Sequence, residues 1–223
     1  MTFIQQLSRA FEEAANPEFA AQMKSYLRDK FELYGIKTNL RRDILKTVVR
    51  DHFLHLRDDI RVICFDLYNF PQREMHLCAT ELFEKQLRNS YKKSDIQLIE
   101  ALISNNSWWD TVDFIAKQIL GKYLITYPDE TKYVIGKFSQ SENMWLNRSA
   151  ILFQLGYKNK TDEDLFYSLC LQHKHSNEFF IQKAIGWALR EYGKTNPDSV
   201  LKFVESADLK PLSKKEAIRN ILK

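Results

Sequence analysis

Phe179-Phe180-Ile181-Gln182-Lys183-Ala184-Ile185-Gly186-Trp187-Ala188-Leu189-Arg190-Glu191-Tyr192 decides how the chain is built. Its apolar residues recur at helical spacing, and a small residue, Ala184, sits near its middle. The same mark appears upstream at Ala150, Ala116 and Ala79, at separations of 34, 34 and 37 residues. A further step of 34 lands on Ile218, and a step back of 35 from Ala79 lands on Ile44. Each marked helix follows another amphipathic helix, so the unit is a helix pair of about 35 residues that buries its apolar face on its neighbours.

Local signals agree with helices. Asn16-Pro17 and Asn196-Pro197 place Pro at a first helical position, and Ser94-Asp95 is a similar opening. Ser213-Lys214-Lys215-Glu216 fits a capping box, with Ser107 and Asp110 a weaker version. No segment alternates with period two, and six Gly with five Pro are few for an all-β chain. Tetratricopeptide arrays share the spacing of 34, but their Trp-x-x-Leu-Gly-x-x-Tyr signature does not recur. The expected architecture is therefore all-α: a right-handed α-solenoid of HEAT-like helix pairs, with one helix of each pair lining a concave groove. No linker divides the array, so residues 1–223 are expected to form a single domain.

The bulk numbers describe a folded chain. Of 223 residues, 44% are hydrophobic, 28% charged and 13% aromatic, which excludes a disordered chain. Lys and Arg number 33 against 29 Asp and Glu, and this mild excess permits a polyanionic partner without demanding one. Cys64, Cys78 and Cys170 form no CxxC pair and read as reduced, buried thiols. The first residues carry no basic region followed by an apolar run, and no apolar stretch reaches the roughly 18 residues of a membrane span. A cytoplasmic, nucleoid-associated monomer without a membrane partner is the expectation.

Ser107-Trp108-Trp109-Asp110-Thr111-Val112-Asp113 carries the chemistry. Trp109 and Asp113, four apart, sit one helical turn from each other. A carboxylate beside a large aromatic can rest against a sugar and steady positive charge developing on it. Arg148 and Trp187 lie in later helices of the alanine-marked set, which favours convergence on one groove. Lys183, Trp187, Arg190 and Lys194 fall at i, i+4, i+7 and i+11, so cations surround an indole on one face, as a phosphate-lined groove selects. Thr38 and Arg42, at a helix start after Gly35-Ile36, form a further basic spot where backbone N–H groups can also meet a phosphate. Structural alternatives stand beside each reading: Trp109 packed in the core beside an exposed first-turn acid, Arg148 in a surface ion pair, and the cations as a solvated face. His52 and His55 are three apart without a completing ligand, so no metal and no cofactor is expected.

These residues resemble a known family. The stretch 107–113, Ala150-Ile151-Leu152-Phe153-Gln154-Leu155 and 178–187 are similar to the AlkD-type DNA alkylation-repair glycosylases. So are Leu189-Arg190-Glu191-Tyr192, Lys194-Thr195-Asn196-Pro197-Asp198 and Pro211-Leu212-Ser213-Lys214. The resemblance implies a HEAT-like solenoid holding duplex DNA that contains alkylated bases, and hydrolytic release of cationic N3- and N7-alkylated purines such as 3-methyladenine and 7-methylguanine. It implies that Asp113 is the catalytic carboxylate, that Trp109 and Trp187 contact the deoxyribose, and that Arg148 supports the DNA backbone at the lesion. The chain departs from the family pattern at Lys37, Asn39 and Gly156, the last standing where a Lys is expected. Two other functions use the same features: a DNA-lesion binder that releases no base, and a protein-interaction solenoid indifferent to DNA.

Overall fold

The computed structural model describes residues 1–219, without the side chains at positions 54, 55, 57 and 58, so His55 of the His52/His55 pair lies outside the described residues. Every regular element described is helical, and an isolated bridge joins Glu32 to Gln72. The contacts group into two units, Met1–Lys92 and Lys93–Lys223. The first holds α1 (Phe3–Glu13), α2 (Pro17–Tyr26), α3 (Thr38–Asp51), α4 (Phe53–Tyr68) and α5 (Arg73–Leu87). The second begins with α6 (Asp95–Ser104) and α7 (Trp109–Phe114), which runs through a π-helical stretch, Ile115–Leu120, into α8 (Gly121–Thr126). It continues with α9 (Thr131–Ser139), α10 (Met144–Leu152), α11 (Glu163–His173), α12 (Phe179–Tyr192), α13 (Pro197–Ser206) and α14 (Pro211–Ile218).

The alanine marks are buried as the repeat requires: Ala79, Ala116, Ala150 and Ala184 are all 0% exposed. In the last helix the small residues Ser213 and Ala217 are both 0% exposed, and Ala217 stands one position before the Ile218 reached by counting 34. The shift follows from a close helix pair. A Cβ on Gly186 would collide with the Glu216 side chain and come 2.9 Å from the Ser213 carbonyl oxygen, so α14 packs directly on the backbone of α12. Gly186→Ala is accordingly expected to destabilise the protein by about 1–3 kcal/mol. Gly136→Ala, in α9 where a Cβ meets nothing within 4 Å, should instead stabilise by about 0.5–1 kcal/mol. Paired thermal melts check both signs.

Three helix starts follow the sequence signals and two do not. Asn16 accepts from the Phe19 amide at 3.0 Å and Asn196 from the Ser199 amide at 3.4 Å, each with Pro next in line. Ser94 stands at the cap position and α6 starts at Asp95, without a side-chain capping bond. Ser107 instead donates to the Ile103 carbonyl at 2.6 Å, and α7 opens behind an extended Trp108. Ser213 is no cap either, because Pro211 starts α14 two residues earlier. Its hydroxyl is thereby released to donate to the Gln182 carbonyl of α12 at 3.0 Å.

In the first unit, the wholly buried Glu74 carboxylate accepts the amides of Tyr34, Gly35 and Ile36 at 3.2, 2.9 and 3.2 Å. Gly35 has φ +81° and its Cα faces the Asn16 carbonyl, so no side chain fits there. This turn aims the chain into α3 and fixes the helix start that carries Thr38.

The π-helical stretch answers a pattern in the residues around it. Buried positions form two columns of period four: Thr111, Ile115, Ile119, Tyr123 and Val112, Ala116, Leu120, Leu124. At 3.6 residues per turn each four-residue step drifts about 40°, so three steps would carry a column about 120° around an α-helix. The wider turn takes up one extra residue and returns about 100° of that drift, keeping both columns buried.

Candidate active site

Burying Trp108 and Val112, four apart, turns the next column of α7 outward, and that column holds Trp109 and Asp113. Both are half-buried. Asn143 caps α10 by accepting the Trp145 amide at 2.9 Å, and one turn on from Trp145 the helix carries Arg148, only 4% exposed. Arg148 grips Asp113 with both arms: Nε to Oδ1 at 2.7 Å and Nη2 to Oδ2 at 2.8 Å. Its remaining arm, Nη1, donates to the Phe180 carbonyl of α12. One guanidinium therefore ties together α7, α10 and the start of α12, and its bidentate geometry fixes the plane of the carboxylate.

The Asp113 side chain keeps 15% of its exposure, so the carboxylate is braced from behind and open in front. Burial pushes its pKa above the ordinary carboxylate value; hydrogen bonding and charge from Arg148 pull the other way, and the Asp110 carboxylate adds to the rise.

An aromatic wall flanks this pair. Trp108, Trp145 and Phe180 meet with ring centroids 5.7, 5.3 and 5.0 Å apart, and the Arg148 guanidinium lies 5.8 Å from the Phe180 ring. Phe179, beside it, is 53% exposed. Sequence reasoning passed over Trp108, Trp145 and Phe180, although the Trp108-Trp109 doublet already required one indole inward if the other faced out. Trp187 stands seven residues beyond Phe180, about two turns or 10 Å along the same side of α12. It is half-buried and packs on the core that contains Ile185, Leu189 and Ala217.

The cations of that face are engaged by a partner the sequence reading did not foresee. Lys183 meets Glu216 at 2.8 Å and Arg190 meets it at 2.5 Å, with the side chains 37% and 20% exposed. Glu216 lies below its ordinary pKa, held there first by the Lys183 hydrogen bond and then by Arg190, against an opposing desolvation. The Ser213-to-Glu216 spacing read as a cap is thus spent on α12. Lys194 pairs with Glu191 at 2.5 Å and edges a 260 Å³ cleft shared with Lys158 and Thr161. In the first unit Thr38 is exposed at the first position of α3, and Arg42, half-exposed, donates to Glu81 at 2.9 Å beside the buried Arg41. Among the described residues no group of three His, Cys, Asp or Glu is placed to hold a metal ion, and no helix is long and apolar enough to cross a membrane.

Residues 7–221 match the model of a family described as DNA alkylation repair enzyme. The chain belongs to that family. A solved structure described as a predicted DNA alkylation repair enzyme from Enterococcus faecalis superposes with a TM-score of 0.86 at 30% identity, covering 94% of this chain and 97% of that one. No curated protein sequence matches. Membership places this DNA alkylation repair enzyme in the repair of alkylated DNA.

Proposed function

We propose that this protein is a monofunctional DNA glycosylase that hydrolyses the N-glycosidic bond of cationic N3- and N7-alkylated purines in duplex DNA. The observation that carries this reading is the Asp113 carboxylate, held bidentately by a buried Arg148 and still partly open beside Trp109.

The chemistry asks little more. An alkylated purine already bears a positive charge, so the bonding pair leaves with the base and neutralises it without a general acid. The sugar becomes oxocarbenium-like, and a fixed anion against its open face lowers the energy of that state. Water then adds at C1′ and loses a proton, giving an abasic site. Indole faces at Trp109 and Trp187 suit contact with a cationic sugar. No lysine amine is required, since no Schiff base forms. Arg148, with every arm committed, acts on the lesion through Asp113 as a positioning residue. Lys183 and Arg190, braced by Glu216, and Lys194 are the proposed phosphate contacts of the second unit. Thr38 at the start of α3 and Arg42 are those of the first.

The pH dependence tests this. Asp113 must be ionised to act, so the release rate should fall as pH drops through its folded-state pKa, at a higher pH than an ordinary carboxylate would give. Linkage runs opposite. A carboxyl that holds its proton more tightly folded than unfolded contributes stability below its unfolded pKa, and that contribution is lost as pH rises through the folded value. Release of 7-methylguanine should therefore rise over the window in which the Asp113 contribution to stability falls. A flat rate across that window would reject Asp113 as the acting carboxylate.

A further inference from the structure

We infer that the π-helical stretch Ile115–Leu120 is the register device that aims Asp113, an inference that deepens the glycosylase reading and rests on it. Asp113, Lys117 and Gly121 are successive four-residue steps, and all three face α10 and the turn after it. Asp113 meets Arg148, the Lys117 chain runs 3.6 Å from where a Cβ on Gly156 would stand, and Gly121 lies against the Phe153 carbonyl so closely that no Cβ fits. The Tyr157 hydroxyl also donates to the Gly121 carbonyl. The helix is thus locked at its far end by Gly121 and at its near end by the Arg148 brace.

In an unbroken α-helix those three residues would fan out by about 80°, and both locks could not close at once. The extra residue in the π stretch reconciles them. It lets Gly121 sit flush against α10 while Asp113 and Trp109 stay turned to Arg148 and to solvent. Single π turns recur at functional sites, and here the geometry supplies the reason.

Deleting Gln118, a half-buried residue inside the stretch, should let it relax to an α-helix with both locks still closed, because seven residues at about 100° each bring Asp113 to within about 20° of its place. Adding one Ala after Gln118 should instead turn Asp113 and Trp109 about 100° away from Arg148 while Gly121 stays seated. Two readouts test this. The first is single-turnover release of 7-methylguanine, expected to stay within about tenfold in the deletion and to fall at least about a hundredfold in the insertion. The second needs no catalysis: a double-mutant cycle of Asp113→Asn with Arg148→Met, read by denaturant unfolding, should show coupling in the intact chain and in the deletion, and none in the insertion background. Coupling lost in the folded deletion, or retained in the folded insertion, overturns the inference. If the intact chain releases no base but the coupling follows this pattern, the register device stands and the glycosylase reading fails. Should neither variant fold, Gly121→Ala carries the test. Lifting that lock should lower release at least tenfold without weakening binding to duplex DNA, and unchanged release in a folded Gly121→Ala protein overturns the inference.

Discussion

Asp113→Asn should reduce release of 7-methylguanine from duplex DNA by on the order of 10²–10³-fold, the effect of removing one preorganised electrostatic partner from a transition state. Affinity for the same duplex should change by less than about threefold, because the cations proposed to grip phosphate lie on α12, in the turn after it and in the first unit. The substitution is nearly isosteric, and the new amide oxygen still accepts one Arg148 arm. What disappears is the negative charge, and with it the means of steadying a cationic sugar. Stability should change by less than about 1 kcal/mol, because Arg148, 4% exposed, loses a counter-charge while the burial cost that raises the Asp113 pKa is removed with it. Full turnover in a folded Asp113→Asn protein would remove the carboxylate from the mechanism.

Arg148→Met should do more damage to the fold and leave a different kinetic signature. Taking one partner from a buried ion pair costs about 3–5 kcal/mol, and the partial opening of Asp113 to solvent places this variant toward the lower figure. It also frees the Phe180 carbonyl that Nη1 satisfies and unties the start of α12. The arginine is what opposes the upward push of burial on Asp113, so without it the carboxyl should protonate at still higher pH. The acid limb of the pH–rate profile should move upward, with activity partly recovered in alkaline buffer. Arg148→Lys, which keeps a charge but not the two-armed geometry, should fall between the two. An acid limb that stays in place in Arg148→Met would mean that Arg148 does not govern Asp113.

Much of this arrangement is legible in the residues. Within the second unit the alanine marks pick out elements that pack side by side, since α10 meets both the Ile115–Leu120 stretch and α12, and Ala79, Ala116, Ala150 and Ala184 are all buried. Asp113 and Arg148 were drawn to one place by those marks and by family resemblance, and they meet at 2.7 and 2.8 Å. Their pairing with each other was not foreseen, because a lone arginine carries no sign of its partner 35 residues away. Glu216 shows the same limit from the other side. Its spacing from Ser213 satisfies a local rule, but a proline two residues before Ser213 already starts the helix, and the carboxylate turns to Lys183 and Arg190 instead. Local spacing records what a side chain can do within its own helix, whereas tertiary proximity decides which bond it makes. The π-helical stretch is an intermediate case. Its period-four burial is written in Thr111 through Leu124, and only the drift of a 3.6-residue helix makes that pattern meaningful.

The central claim is that a braced carboxylate expels a cationic base. The direct measurement is chromatography of the free base after excess protein meets duplex DNA bearing a single 7-methylguanine. The account predicts stoichiometric free 7-methylguanine and an abasic strand that stays unbroken until heated in alkali. Duplex that is bound but yields no free base at any protein concentration would contradict it.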